Sequence, residues 1–249
     1  MCSWALITGA SSGIGLAKAR LLAKRGYSLI LVARRAERLN DLAAELDTEV
    51  RVFTLDLADA NAREALLEQL ETEQLLPELL INNAGMGIHG PMAEQSWSEL
   101  NQLLQLNLVA VSHLCHWFVR QPKAKYLLNV GSVVSFLPFP NYGLYAASKA
   151  AVLSISLALH QEVLHQGIRV CCLCPGTTAT EFFEVSNQQL KKSQQLLLMD
   201  ATKVADNGLT ALLDKNQPLT VPGLANRLLL LLVGCLPIKL QAKVATKMN

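Results

Sequence analysis

A tyrosine and a lysine four residues apart, Tyr145 and Lys149, are the side chains in this sequence best suited to acid–base chemistry. Their segment starts as a loop and continues as an apolar-patterned helix, on which side chains four apart share a face. A phenol with its ordinary pKa of about 10 is a poor base at neutral pH, but a neighbouring ammonium lowers that pKa. The pair therefore predicts a tyrosine that exchanges a proton with an oxygen of a bound molecule. The spacing alone is common and is more typical of a surface pair.

Ser132 stands thirteen residues before Tyr145 and directly follows a predicted strand. A hydroxyl in that place could donate a hydrogen bond to the same oxygen. A serine after a strand is otherwise typical of a turn or a helix cap.

The glycine-rich stretch Thr8–Gly15, TGASSGIG, joins the first predicted strand to the first predicted helix. Glycines permit a tight turn and a close backbone approach, so a pyrophosphate can meet free N–H groups at the helix N-terminus. The spacing is G-x3-G-x-G, and a glycine cluster alone is weak evidence. Its position between the first strand and the first helix favours a dinucleotide site over a purely structural turn.

The second predicted strand ends in two arginines, Arg34 and Arg35. Sites that prefer NAD usually place an acidic residue there to bind the ribose 2′-hydroxyl. Here no carboxylate repels a 2′-phosphate, and a guanidinium can bind one bidentately. We expect NADP(H) with Arg34 as the preferred contact. The alternatives are NAD(H), or arginines that only solvate the start of a helix.

The elements that must position these groups form an alternating pattern of short β-rich runs and longer helical runs. Strands are predicted at Ser3–Thr8, Ser28–Ala33, Val50–Leu55, Leu79–Asn82, Tyr126–Gly131, Ile168–Cys174 and Leu219–Val221. Helices are predicted at about Gly13–Arg25, Ala36–Leu46, Asn61–Gln74, Trp97–Arg120, Tyr142–His165 and Thr202–Leu213. Alternation of this kind indicates an α/β fold with a parallel sheet covered on both faces. We expect one doubly wound Rossmann domain over residues 1–249, with ligands at the carboxyl ends of the strands.

Composition narrows the classes of function. The net charge is +2 over 249 residues without a long run of either sign, so nucleic acid is not an expected partner. Only 17% of residues are charged, which predicts some apolar surface and, from that, a homodimer or homotetramer. The start of the chain lacks a signal-peptide pattern, which predicts a cytoplasmic protein with reduced thiols. No metal site is expected, because the candidate ligands lack partners at metal-ligand spacing. These candidates are the cysteines Cys171, Cys172 and Cys174 and the histidines His113 and His116.

Taken in order, the motifs resemble those of the classical short-chain dehydrogenase/reductase family. They are TGASSGIG at Thr8–Gly15, NNAG at Asn82–Gly85, Asn107, Ser132, Tyr145-x3-Lys149, and Pro175-Gly176 followed by Thr180, and they span roughly residues 3–185. The resemblance implies an oxidoreductase that interconverts a carbonyl and an alcohol on a small molecule by hydride transfer. Tyr145 would be the acid or base and Ser132 would polarise the substrate oxygen. Lys149 would hold the nicotinamide ribose and lower the tyrosine pKa, while Asn107 would hold a water that links Lys149 to solvent.

The resemblance also implies a set of cofactor contacts in addition to Tyr145 and Lys149. Asp56 would lie near the adenine, Asn83 and Gly85 along the adenosine ribose, and Thr180 near the nicotinamide carboxamide or a phosphate. The full set is Gly9, Ser11, Ser12, Gly13, Ile14, Gly15, Arg34, Arg35, Asp56, Leu57, Asn83, Ala84, Gly85, Pro175, Gly176, Thr178 and Thr180. From the residues alone, Asp56 could equally be a helix cap and Asn83 part of a turn.

Two later segments remain open. Residues 181–200 mix apolar and polar side chains, which predicts a substrate lid or a pair of amphipathic surface helices; Phe182, Phe183 and Leu196–Met199 suggest an apolar cavity. The tail, residues 222–249, departs most from the family. Its apolar run, Leu228–Val233, is too short to span a membrane and is followed by Lys239, Lys243 and Lys247. It could pack on a neighbouring subunit, cap the cavity or lie on a membrane surface.

One competing interpretation is a protein that binds the dinucleotide only as a sensor or scaffold. A pure binder has no need of an aligned proton relay, so the set of Asn107, Ser132, Tyr145 and Lys149 argues against it.

Overall fold

Seven parallel strands form a single sheet at the centre of the protein. The structure is a computed structural model that describes residues 3–186 and 198–248. The strands are β1 Trp4–Thr8, β2 Ser28–Ala33, β3 Val50–Thr54, β4 Leu79–Asn82, β5 Tyr126–Val130, β6 Arg169–Leu173 and β7 Leu219–Thr220. Their order is β3-β2-β1-β4-β5-β6-β7, and every pairing is parallel. The order reverses between β1 and β4, which is where a doubly wound sheet opens a crevice for ligands.

Helices connect the strands and cover both faces of the sheet. They are α1 Gly13–Lys24, α2 Ala36–Glu45, α3 Ala60–Thr72, α4 Trp97–Leu104, α5 Val111–Phe118, α6 Gly143–Glu162, α7 Phe182–Val185, α8 Ala201–Leu209, α9 Leu224–Gly234 and α10 Ile238–Met248. The Rossmann architecture predicted from the sequence is confirmed, and the strand ends agree with the prediction to within one residue. The single helix predicted over Trp97–Arg120 is divided into α4 and α5 in the structure. Between α4 and α5 the turns of Gln105–Ala110 are π-helical.

The core lies in two layers, one on each side of the sheet. Successive residues of a strand point to opposite faces, so Leu6 joins one layer while Ile7 joins the other. The layer under α1 and α8 also contains Leu128 and Leu173, and the layer under α5 and α6 contains Leu127. The central strands are buried on both faces, which explains why they are continuous apolar runs in the sequence.

The tail forms two helices, α9 and α10, that pack on the segment after β5. The buried side chains of Val233 and Ala245 meet Leu137, with Phe136 and Phe139 packed around them. The sequence predicted an apolar segment here but not the second helix, α10.

Among the described helices, α6 alone has the length and hydropathy of a membrane-spanning segment. It carries buried polar side chains, Lys149, Ser156 and His160, and its neighbours in the fold are β5 and β6. These contacts are those of a core helix. No cluster of metal-ligating side chains occurs within the part of the chain that the structure describes.

Candidate active site

The loop between β1 and α1 is a tight turn that only glycine permits at several positions. Gly9 and Gly13 have φ angles of +65° and +55°, which side chains with a Cβ rarely adopt. A Cβ on Gly15 would lie 2.3 Å from the Gly9 carbonyl oxygen. Ser12 caps α1 without a side-chain hydrogen bond, and no acidic residue lies in the first helical turn. The turn therefore presents an open, uncompensated helix N-terminus, which suits a pyrophosphate.

The turn is held against the loop after β4 by Asn83 and Thr8. The Asn83 amide donates to the carbonyl oxygens of Thr8 and Gly9 at 3.0 and 3.3 Å. The Thr8 hydroxyl accepts from the backbone N–H groups of Asn83 and Ala84 at 2.9 and 3.0 Å. The resemblance implied that Asn83 lies along the ribose. Asn83 does line the cavity, but its amide group is directed to the turn, so its side chain has a positioning role.

The two arginines after β2 differ in their surroundings. Arg35 reaches back to the turn, where its guanidinium donates to the Ser11 hydroxyl at 3.1 Å and to the Ser12 hydroxyl at 2.8 Å. Its other arm donates to Glu181 at 2.6 Å. The Arg34 side chain is 60% exposed and lies 3.8 Å from Asp56. The sequence favoured Arg34 as the contact for a 2′-phosphate, whereas the structure places Arg35 on the phosphate-binding turn.

The remaining cofactor candidates close around the same turn. Asp56 accepts the Ala58 N–H at 2.9 Å in a turn. It is not the helix cap that the sequence left open as an alternative, because α3 is capped by Asp59. Thr180 lies so close to Gly13 that a Cβ there would come within 2.8 Å of its methyl group. A Cβ on Gly176 would similarly lie 2.5 Å from the Asn226 amide nitrogen. The structure thus brings the loops after β1, β3 and β6 to one edge of the sheet.

Tyr145 lies near the N-terminus of α6, next to Ser132 at the end of β5. Ser132 caps the short 3-10 helix Val133–Phe136, with its hydroxyl accepting the Val134 N–H at 3.3 Å. Burial raises the pKa of Tyr145, and the hydrogen bond to Ser132 opposes that shift only in part. This corrects the expectation that Lys149 lowers the tyrosine pKa. Desolvation of the phenolate is the largest cause of the shift, and Tyr142 and Cys174 act in the same direction.

Lys149 is buried beneath Tyr145, one helical turn further along α6. Its ammonium donates to the Val130 carbonyl at 2.8 Å and lies 5.9 Å from the centroid of the tyrosine ring. Burial lowers the pKa of Lys149 to about 8. A Cβ on Gly85 would be 3.3 Å from both the Lys149 Nζ and the Asn107 Oδ1. Gly85 therefore leaves the space in which the lysine and the asparagine approach each other.

Asn107 lies within the π-helical turns and is fully buried. It accepts the Met86 N–H at 2.9 Å and donates to the Met86 carbonyl at 2.8 Å. Such π-helical segments often occur at functional sites, because the extra residue redirects a side chain. Asn107 thereby fixes the loop after β4. Its predicted water-holding role stays a prediction.

One continuous cavity of about 680 Å³ joins these groups. All the predicted site residues line it except Gly15 and Asn107, which pack behind its wall. Several lining residues were not predicted from the sequence: Met86, Leu106, Phe139, Tyr142, Asn226 and Leu229. They come from four separate segments, and no motif marks them. They become neighbours only when the chain folds, so the sequence could not indicate them.

Aromatic rings form the end of the cavity beyond Tyr145. The Tyr145 ring lies 5.5 Å from Tyr142 and 5.4 Å from Phe182, and Phe182 lies 5.6 Å from Phe183. Phe182 and Phe183 thus line the cavity as the lid prediction suggested. The part of the predicted lid at 187–197, which includes Leu196, lies outside the described residues. The side chain of Lys247 in the tail is also outside them.

Comparisons with known proteins agree with this geometry. The family model for short chain dehydrogenases matches residues 3–191. A sulfoacetaldehyde reductase of Chromohalobacter salexigens is 33% identical over 204 residues, which are 79% of this chain and 81% of that protein. A short-chain dehydrogenase from Sphingobium yanoikuyae, solved in complex with NADPH, is 32% identical with a TM-score of 0.82 and covers 94% of this chain and 96% of its own. A Comamonas testosteroni alcohol dehydrogenase specific for bulky-bulky ketones is 30% identical with a TM-score of 0.76, covering 94% and 95%.

Proposed function

Because the chain belongs to the short-chain dehydrogenase family, and is therefore an oxidoreductase that binds a nicotinamide dinucleotide, we propose that it reduces an apolar ketone or aldehyde with NADPH, or catalyses the reverse reaction. The observation that carries this proposal is the position of Tyr145 with Ser132 and Lys149. They lie in a cavity that runs from the glycine turn to an aromatic pocket. A binding protein would need the turn but not this proton-transfer group.

The turn fits the pyrophosphate of the cofactor, because it lines the cavity at a helix N-terminus that has no side-chain cap hydrogen bond and no acidic residue in its first turn. Ser11, Ser12 and Arg35 would hold the adenosine end and Lys149 the nicotinamide ribose. When bound, the nicotinamide supplies the hydride that is added to the carbonyl carbon.

The protein's own contribution is to the oxygen of the substrate. The raised pKa of Tyr145 keeps its hydroxyl protonated at neutral pH, which suits it to donate a proton to the developing alkoxide. Ser132 lies beside that hydroxyl and orients the same oxygen by a hydrogen bond. The Lys149 ammonium stabilises the phenolate that remains on Tyr145 until it is protonated again.

Preference for NADP(H) is supported by the charges at the end of β2. No carboxylate directly follows β2 in the sequence, and Arg35 holds its guanidinium against Ser11 and Ser12. The nearby carboxylates of Asp56 and Glu181 are paired with Arg34 and Arg35. Arg34 adds a second cation at the same edge. The related Sphingobium structure contains NADPH.

An apolar substrate is supported by the lining beyond Tyr145. Phe139, Tyr142, Phe182 and Phe183 surround that end, and Lys149 is the only lysine among the described lining residues. Lys149 is assigned to the nicotinamide ribose and to Tyr145, and Arg34 and Arg35 lie at the glycine turn, so the described lining residues leave no cation for a sulfonate or carboxylate at this end. We therefore favour a substrate like the bulky ketones named for the Comamonas enzyme over a sulfonated aldehyde.

The test is a panel of apolar and charged ketones and aldehydes assayed for oxidation of NADPH. We expect turnover of apolar members, and a loss of about 100-fold or more in kcat for Tyr145→Phe with NADPH binding retained. Tyr126→Phe is the matched control, because Tyr126 lies on β5 outside the cavity. Full activity in Tyr145→Phe, or no turnover of any carbonyl by the wild-type protein, would overturn the proposal.

A further inference from the structure

Helix α9 is largely apolar, with Asn226 and Arg227 as its polar residues, but is covered on only one side. Leu229, Leu230 and Val233 face the protein and pack with Phe136 and Leu137. The other face has side chains at positions 224, 228, 231 and 232, one helical stripe that is directed to solvent. Their exposed fractions are 82% for Leu224, 57% for Leu228, 66% for Leu231 and 62% for Leu232. Four leucines exposed to this extent on three turns of helix form an apolar patch that calls for a covering surface.

Helix α10, which packs against α9, adds an exposed apolar residue and exposed cations. Ile238 is 69% exposed at the start of α10. Arg227, Lys239 and Lys243 are exposed on the same two helices. Residues 215–249 contain five basic side chains and no acidic one, although the whole chain carries a net charge of only +2. The leucine patch therefore belongs to a segment of the chain that is basic throughout.

We propose that this leucine patch docks on the surface of a bilayer that contains anionic lipid. Apolar side chains with neighbouring lysines and arginines are the composition by which interfacial helices bind membranes. The lysines and arginine would stay at the level of the anionic headgroups while the leucines enter the acyl boundary. At 11 residues, α9 is too short to span a bilayer, so it lies along the surface.

A second copy of the chain fits this patch less well. In a two-fold symmetric contact the same surface meets itself, so the cations of both copies would be brought together. The segment has no acidic side chain to neutralise them. An anionic lipid surface supplies the missing negative charge.

The opposite face of α9 lines the cavity through Asn226 and Leu229. Docking would thus place the aromatic end of the cavity next to the phase in which apolar carbonyl compounds dissolve. This placement of the cavity matters only if the proposed function is correct, whereas the docking proposal is independent of that function.

The test is flotation of the full-length protein with vesicles of phosphatidylcholine alone and of phosphatidylcholine mixed equally with phosphatidylglycerol. We expect binding to the anionic vesicles, with at least tenfold weakening in Leu228→Glu/Leu231→Glu and a loss of the preference for anionic lipid in Lys239→Gln/Lys243→Gln. Both leucines are exposed, so the glutamates should be tolerated by the fold, and unchanged NADPH binding verifies this. Leu164→Glu is the matched control, because Leu164 is 51% exposed outside the patch.

A label at Cys235 gives a second measurement. Cys235 is exposed at the end of α9, and Cys115, Cys171, Cys172 and Cys174 are buried. In a Cys2→Ser background, an environment-sensitive fluorophore on Cys235 should shift to shorter wavelength on anionic vesicles. Absence of flotation and of this shift overturns the proposal. So does dissociation of a wild-type oligomer by Leu228→Glu/Leu231→Glu, since it would show that a second copy covers the patch. Neither measurement depends on substrate turnover.

Discussion

Burial sets the protonation state of the groups assigned to proton transfer. The phenol of Tyr145 and the amine of Lys149 are both held out of water, and desolvation favours the neutral form of each. Tyr145 is thus protonated throughout the neutral range, whereas the charge of Lys149 depends on pH near neutrality. A sequence shows that a lysine follows a tyrosine by four residues. It does not show the depth of either side chain, and so the direction of the tyrosine shift could not be predicted.

A pH profile should report the loss of charge on Lys149. Its pKa of about 8 means that the ammonium is present below that pH and is lost above it. Because the neutral amine no longer stabilises the phenolate formed at Tyr145, we expect kcat/KM for carbonyl reduction to fall as pH rises above about 8. A profile that stays level up to pH ~10, the range of an ordinary lysine, would contradict this assignment.

Lys18 is a second buried lysine, and the proposed mechanism does not use it. It lies on α1 with no exposed surface, and its amine has no hydrogen-bond partner among the described residues. Burial lowers its pKa to about 7. A buried amine without a partner costs stability, since the charged form is desolvated and the neutral form leaves donors unsatisfied.

Replacing this lysine should stabilise the protein. Lys18→Met keeps the volume and removes the amine, and we expect the free energy of unfolding to rise by about 2 kcal/mol at neutral pH. The unfolded chain binds more protons than the folded one between the folded pKa of about 7 and the ordinary value of 10.5. The penalty from the buried charge is therefore complete below about pH 7 and is lost as pH rises through that window, so the advantage of Lys18→Met should shrink there. Urea unfolding across this range measures it, with the exposed Lys24→Met as control. An equal advantage at every pH would argue against a titrating amine.

At the scale of elements, the turn between β1 and α1 depends on groups from elsewhere in the chain. Asn83 from the loop after β4 and Arg35 from the end of β2 both bind it. These contacts suggest that the turn is preformed before a dinucleotide arrives. The arrangement assigns Arg35 a larger part in cofactor choice than Arg34.

Substitution of the two arginines should separate their roles. We expect Arg35→Ala to weaken NADPH binding by about 10- to 100-fold, the value of a charge-assisted hydrogen bond, with a much smaller effect on NADH. Arg34→Ala, the matched control, should have a smaller effect because its side chain is largely exposed. Fluorescence titration with both cofactors measures the difference. A greater loss for Arg34→Ala would restore the interpretation drawn from the sequence, and equal losses of NADPH and NADH would remove the case for NADP(H).

The predictability of the elements follows from their burial. β2 and β4 are buried on both faces and stand out as apolar runs, so the sequence marks their ends. Tyr145, Lys149 and Ser132 were predicted because their spacing within one stretch carries the signal. Asn226 could not be predicted as a neighbour of Gly176, fifty residues earlier, because only the packing of α9 brings them together. The π-helical turns around Asn107 likewise follow from the loop that Asn107 holds.

At the scale of the whole molecule, apolar surface also occurs on the helices next to the active site. Val109 lies in the π-helical turns and Leu157 lies on α6, and both are exposed. These two helical segments are neighbours in the fold. We take the two exposed side chains as a second candidate surface for contact between subunits, distinct from the leucine patch on α9.

We predict that the protein is a homodimer or homotetramer assembled through this second surface. Leu157→Glu would bury a carboxylate in the interface and should shift the protein toward monomer by several orders of magnitude in Kd, as an unpaired buried charge does. Light scattering coupled to size-exclusion chromatography gives the mass, and Leu164→Glu, exposed outside this surface, should leave it unchanged. A wild-type protein of 27.1 kDa at micromolar concentration would contradict the prediction.

The carboxylate of Glu181 links the two ends of the cavity. It is paired with Arg35 and Arg38, and it directly precedes Phe182 of the aromatic wall. A 2′-phosphate that binds Arg35 competes with Glu181 for one guanidinium, so loading the cofactor loosens the residue that tethers the substrate wall. Coupling of this kind is reciprocal: a substrate that draws Phe182 inward and Glu181 with it alters the hold on the cofactor by the same factor.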